Sequence, residues 1–227
     1  MPEDTVREVL EAISASRLLP VVVIDNIKAA IPLATALKNG GLRCVEITLR
    51  TGAAEVALRT MAEDHDLMVG AGTVLDCHQV DLALNAGARY IITPGFNPEV
   101  VRHCQASSVP VFPGVATATD IQAAMNAGLD AVKFFPAEPL GGIAMLEALA
   151  APFSMMKFIP TGGISAANVA GYLHHPAVFA VGGSWMVARH LLEAGDFAAI
   201  TELTAEAMRL ADGGRDIDQE GWPYGIT

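Results

Sequence analysis

The sequence predicts a single-domain (β/α)8 TIM barrel with one extra helix at its N-terminus. Three observations carry that expectation. Eight apolar runs rich in β-branched residues alternate with helical patterns along the chain. The runs are continuously apolar rather than alternating, as in strands buried on both faces of a parallel sheet. The length of 227 residues suits one such domain. A doubly wound open sheet is the rival architecture, but no Gly-x-Gly-x-x-Gly turn follows the first strand. The barrel is expected over residues 1–212. A polar, Gly-rich tail follows over 213–227, in which Trp222 and Tyr224 offer docking groups.

The elements follow in order. Residues 6–18 read as a helix, because Val6, Val9, Leu10 and Ile13 share one face. The first strand covers 19–24, and Asp25 and Asn26 are cap candidates for a helix that runs to Asn39. Pro32 lies near its first turn or kinks it, and Gly40 and Gly41 end it. Strand two covers 43–50, and its helix 53–64. Strand three covers 67–73, followed by a helix capped by Asp76. Strand four covers 90–94, with a helix over 98–106. Strand five covers 109–115, and Thr119 and Asp120 open the helix after it. Strand six covers 131–136, with a helix over 143–150. Strand seven covers 157–161, with a helix over 166–174 capped by Ser165. Strand eight covers 178–181. A helix starts at Trp185, and another ends near Ala211. Asn85-Ala86-Gly87 and Asn126-Ala127-Gly128 echo each other as helix ends, each with a glycine C-cap and a new strand behind it.

Composition excludes several function classes. Hydrophobic residues make up 52% and charged residues 17%, enough for a large core and against disorder. The net charge is −11 with no basic block, which argues against nucleic acid. No apolar run reaches membrane-spanning length, and the acidic start is unlike a secretory signal. Cys44, Cys77 and Cys104 are odd in number and widely spaced, as free thiols of a cytoplasmic protein would be. The six histidines form no metal-ligand pattern, so no metal or cofactor is expected.

In such a barrel, chemistry gathers at the C-terminal ends of the strands. Strand six carries Lys133 inside the run Ala131-Val132-Lys133-Phe134-Phe135. Burial there disfavours the ammonium form and presents an amine nucleophile for a carbonyl. A lysine that snorkels from an edge strand, or pairs with a carboxylate, is the alternative. Strand two ends with Glu46, Thr48 and Arg50 on one face. Arg50 can clamp a carboxylate and Glu46 can shuttle protons, or the two can simply pair at the barrel mouth. Thr73 offers a further hydrogen bond, while Pro94 and Phe135 can wall the site. The pairs Gly162-Gly163 and Gly182-Gly183, with Ser165 and Ser184 opening helices behind them, suit a phosphate. Tight turns alone would also call for those glycines.

Several stretches together resemble the 2-keto-3-deoxy-6-phosphogluconate (KDPG) aldolase and 4-hydroxy-2-oxoglutarate (KHG) aldolase family. They are Val45-Glu46-Ile47-Thr48-Leu49-Arg50, Gly70-Ala71-Gly72-Thr73, Lys133-Phe134-Phe135-Pro136-Ala137-Glu138, Pro160-Thr161-Gly162-Gly163 and Gly182-Gly183-Ser184-Trp185. The resemblance implies a metal-independent class I aldolase, typically a homotrimer, acting on a phosphorylated 2-keto acid of the Entner–Doudoroff pathway. It implies Lys133 as the Schiff-base lysine and Glu46 as general acid/base. Arg50 and Thr73 would hold the pyruvyl carboxylate, and Pro94 and Phe135 would line the pocket. Thr161 would face the hydroxylated carbons, and Gly162, Gly163 and Ser184 the phosphate. The alternatives are an aldolase for the 6-phosphogalactonate epimer, an imine-free sugar-phosphate barrel, or a phosphometabolite-binding barrel without catalysis.

Overall fold

The computed structural model describes residues 2–213, so the tail with Trp222 and Tyr224 lies outside the described residues. Strands and helices alternate as the apolar periods require. Helix α1 (Pro2–Ser16) leads into β1 (Leu18–Val22), α2 (Ala30–Asn39), β2 (Cys44–Thr48), α3 (Ala54–Ala62), β3 (Met68–Gly72) and α4 (Cys77–Asn85). Then come β4 (Ile91–Ile92), α5 (Pro98–Ala106), β5 (Val111–Phe112), β6 (Gly114–Val115), α6 (Ala118–Asn126), β7 (Ala131–Phe134) and α7 (Gly142–Ala150). The chain continues through β8 (Lys157–Pro160), α8 (Val169–Leu173), β9 (Val181–Gly183), α9 (Arg189–Ala194) and α10 (Phe197–Asp212).

All strand pairs are parallel. One sheet runs β5-β4-β3-β2-β1-β9 and the other β6-β7-β8. The result is an α/β fold with a curled parallel sheet. Parallel bridges Phe158↔Val178 and Thr161↔Gly182 link β8 to the segment containing β9.

The two-residue side-chain period sorts each strand into an outer and a concave face. Leu18, Val22, Val45 and Ile47 pack outward in the large core under the helices. Leu19, Cys44, Ile92, Phe112, Ala131 and Ile159 form a second, concave cluster. Val9, Leu10 and Ile13 of α1 join that cluster, so the N-terminal helix plugs the end of the curl opposite the strand C-termini. Two residues along the same faces, Glu46 follows Cys44 and Lys133 follows Ala131. The apolar plug is therefore a dry floor beneath both.

Several boundaries differ from the sequence reading for local reasons. The fifth strand is split at Pro113, which has no N–H to give to the ladder. Thr117, not Thr119, caps α6: its hydroxyl accepts the Asp120 amide while Asp120 accepts the Thr117 amide, a full capping box. Ser165 does not cap α8. The Asn168 side chain accepts the Ser165 amide in a turn, and the helix begins only at Val169. Residues Trp185–Val187 form a 3-10 turn, and the α-helix waits until Arg189. The last strand is shifted towards Gly183, with Val178 left as an isolated bridge. Other expectations hold. Asp76 caps α4 by accepting the Gln79 amide, Pro32 sits in the first turn of α2, and Gly87 and Gly128 take positive φ behind their helices.

Candidate active site

The concave face brings Lys133 on β7 against Glu46 on β2, 87 residues away in sequence. The ammonium nitrogen lies 3.1 Å from Glu46 Oε1 and 3.3 Å from Oε2. Lys133 is 6% exposed and Glu46 1%. Two such groups persist away from water only when each compensates the other. The snorkelling alternative is thus excluded, and the carboxylate partner of Lys133 is Glu46. Arg50 does not pair with Glu46. It stands exposed just beyond β2, with its amide bonded to the Thr48 carbonyl and no side-chain partner among the described residues. The Phe135 ring lies 5.4 Å from Lys133 Nζ, centroid to nitrogen, close enough for a cation–π contact.

The neighbouring glycines make room for this pair. A Cβ on Gly72 would stand 2.0 Å from Glu46 Oε1, so the carboxylate occupies the volume that any other residue would fill. One layer down, Gly70 gives way to the Tyr90 ring, which its Cβ would meet at 2.0 Å. Buried Tyr90 donates its hydroxyl to the Val45 carbonyl at 2.7 Å, next to Glu46 in β2. Burial, then the charges of Cys44 and Glu46, push the Tyr90 phenol well above its usual range, so it remains a donor. Burial pushes the Cys44 thiol up to about 12, so it is a packing group and not a nucleophile. The sequence reading missed Tyr90, Gly70 and Gly72. Glycines inside a strand pattern were the available signal, because they mark a close approach by something else.

The remaining candidates also cluster at the strand C-termini. Thr73 follows β3 with φ 57°, a costly conformation for a β-branched residue and one that needs surrounding structure to hold it. Pro94 follows β4, and its carbonyl lies where a Cβ on Gly114 would be, 2.1 Å away. Gly114 is in register with Lys133, which puts Pro94 on the neighbouring wall. Thr161 is buried beyond β8, with its hydroxyl donating to the Ile159 carbonyl at 3.2 Å. It packs on Gly182, where a Cβ would come within 2.2 Å of Oγ1. Among the described residues, no hydrogen bond or ion pair ties Arg50, Thr73 or Thr161 directly to the Lys133–Glu46 pair.

Gly162 and Gly163 have φ 102° and 79° and form the loop after β8. The amides of Gly163 and Ser184 make no hydrogen bond among the described residues. Helix termini do not reinforce them. Ser165 precedes α8 by a turn, and Ser184 precedes only a 3-10 segment. Any anion here would be held by loop amides. The described residues contain no group of three His, Cys, Asp or Glu side chains that could hold a metal ion, and no helix long and apolar enough to cross a membrane.

Comparison with known proteins converges on one family. A family model described as KDPG and KHG aldolase matches residues 9–203. A 2-dehydro-3-deoxy-phosphogluconate aldolase of Treponema pallidum is 46% identical over 203 residues, covering 89% of this chain and 97% of the relative. A KHG/KDPG aldolase of Escherichia coli is 43% identical, covering 84% of this chain and 90% of the relative. Among solved structures, the KDPG aldolase from Legionella pneumophila superposes with a TM-score of 0.85 at 40% identity, covering 87% of this chain and 97% of that one. That structure holds pyruvate captured at low pH as a covalent carbinolamine intermediate.

Proposed function

The chain belongs to the KDPG and KHG aldolase family, and from that premise we infer a class I aldolase that cleaves 2-keto-3-deoxy-6-phosphogluconate to pyruvate and glyceraldehyde 3-phosphate. Cleavage of 4-hydroxy-2-oxoglutarate to pyruvate and glyoxylate is a second activity of the same site. The observation that carries this reading is the buried Lys133–Glu46 contact at 3.1 Å.

The roles follow from the chemistry. Lys133 Nζ attacks the C2 ketone, and loss of water leaves a protonated imine. That imine draws the electron pair of the breaking C3–C4 bond into an enamine. The C4 hydroxyl gives up its proton and leaves as the aldehyde. Glu46 takes protons from Lys133 and from the substrate, and returns one to C3. Hydrolysis of the pyruvyl imine then frees pyruvate and the amine. Arg50 and Thr73 bind the pyruvyl carboxylate, with Arg50 supplying a bidentate fork. Pro94 and Phe135 wall off water, and Thr161 faces the hydroxylated carbons. The amides of Gly162, Gly163 and Ser184 bind the phosphate.

We read the strands as one closed (β/α)8 barrel over residues 1–212. The β8 bridges to Val178 and Gly182, and the continuity of β5 and β6 across Pro113, support that closure. We also propose a homotrimer, as is usual in this family, and a cytoplasmic location, consistent with three free cysteines. Light scattering at several concentrations tests the trimer.

Two measurements test the reaction. A coupled assay for pyruvate is expected to show a higher kcat/KM for the 6-phosphogluconate substrate than for its 6-phosphogalactonate epimer. A preference for the epimer would reassign the substrate. Gly72→Ala is expected to push the Glu46 carboxylate off Lys133 and lower kcat by about 10²-fold, the scale of a 1 Å misplacement. Unchanged kcat in that variant would show that Glu46 has no fixed catalytic position.

A further inference from the structure

The motif containing Lys133 ends in Glu138, a carboxylate that the reaction does not use. It lies at the junction of three segments. Its amide donates to the Gly162 carbonyl at 3.0 Å, and the Ala137 amide donates to the Thr161 carbonyl at 2.8 Å. Its Cβ and Cγ rest against Gly163, where an added Cβ would meet them at 2.5 and 2.8 Å. Its Oε1 accepts the hydroxyl of Tyr172 on α8. Tyr172 is 2% exposed, whereas Glu138 is exposed. Gly142 keeps the contact open, since a Cβ there would stand 3.0 Å from Glu138 Oε1 and 3.3 Å from the Tyr172 hydroxyl.

This arrangement poses an electrostatic problem. A carboxylate whose stem packs on Gly163 is a poor neighbour for a phosphate bound by the Gly163 amide. Both charges fall within a Debye length, about 8–10 Å. Rotation about the Cα–Cβ and Cβ–Cγ bonds would carry an unanchored carboxylate across the loop. We propose that Tyr172 is a positioning residue that holds the Glu138 carboxylate off the phosphate loop, and so sets the preference for phosphorylated over unphosphorylated 2-keto acids. Burial first, and then the Glu138 hydrogen bond and charge, raise the Tyr172 phenol above its usual range, so it remains a donor throughout the neutral range. The proposal rests on the phosphate reading of Gly162, Gly163 and Ser184.

The test is steady-state kinetics of Tyr172→Phe, Glu138→Gln and the double variant, with 2-keto-3-deoxy-6-phosphogluconate and its unphosphorylated counterpart. Tyr172→Phe releases a charged side chain. It is expected to raise KM for the phosphorylated substrate about tenfold while kcat, and KM for the unphosphorylated substrate, stay within about twofold. Glu138→Gln alone still accepts the tyrosine hydrogen bond, and its KM is expected to move little. The double variant releases a neutral side chain, and KM is expected to return towards the wild-type value. A purely structural defect would not be rescued in this way. If Tyr172→Phe leaves KM unmoved, or if the double variant is as impaired as Tyr172→Phe, the proposal fails while the aldolase reading stands. If the wild-type enzyme is indifferent to the phosphate, the phosphate reading fails and takes this proposal with it.

Discussion

Lys133→Arg is expected to abolish aldol cleavage, with turnover down by about 10⁴-fold or more, while the protein stays folded. The substitution separates the two roles of the residue. Arginine keeps a positive charge and several N–H donors for Glu46, so the buried carboxylate retains a partner. A guanidinium is not deprotonated under these conditions and forms no imine with a ketone. A truncation such as Lys133→Ala is a poorer test. It leaves a carboxylate that is 1% exposed without its counter-charge, a loss of about 3–5 kcal/mol that mixes instability with lost chemistry. Circular dichroism and the melting temperature should place Lys133→Arg near the wild type. Retained cleavage in a folded Lys133→Arg variant would remove the imine from the mechanism.

Glu46→Gln is expected to lower kcat by about 10²–10⁴-fold, the usual contribution of a positioned general acid/base. The amide is nearly isosteric with the carboxylate. It still accepts a hydrogen bond from Lys133, and Gly72 still leaves it room. It cannot take a proton. The predicted pattern is therefore a fall in kcat with KM changed much less, because the carboxylate and phosphate contacts assigned to Arg50, Thr73, Gly163 and Ser184 are untouched. A variant that keeps its kcat but binds substrate weakly would make Glu46 a substrate ligand instead.

How much of this was legible in the sequence depended on the range of the physics involved. Lys133 stood out because a lysine in an apolar β-prone run is locally anomalous, whatever it contacts. The strand C-termini stood out because Gly, Thr and Pro punctuate them. The side-chain period placed Glu46 and Lys133 on one face each, but not on the same side of one cavity. Their contact depends on the curl of the sheet, which brings β2 and β7 together from 87 residues apart. Sequence reading therefore left Glu46 free to pair with Arg50, which is far nearer to it along the chain than Lys133. Gly70, Gly72 and Gly182 signal a close approach, but which side chain each makes room for was out of reach, since Tyr90, Glu46 and Thr161 belong to neighbouring segments. Some misses were avoidable. Thr117 and Asp120 have the spacing of a capping box, and Pro113 should have split the fifth strand from the outset. Ser165 was harder to place, because Asn168 takes its amide into a turn and delays the helix to Val169.

The central claim is that Lys133 is the amine that carries the substrate. The most direct measurement is borohydride reduction in the presence of pyruvate, followed by intact and peptide mass spectrometry, with the wild-type and Lys133→Arg proteins treated side by side. The prediction is one reduced pyruvyl adduct per wild-type chain, on the peptide containing Lys133, and none on the variant. Lys157 is the control for specificity, because burial lowers its pKa and its ammonium group lies 3.0 Å from the Pro176 carbonyl, at the far end of its strand from Thr161. An adduct on Lys157, or a folded wild-type protein that takes up no label while a known class I aldolase is labelled in the same buffer, would contradict the assignment of Lys133.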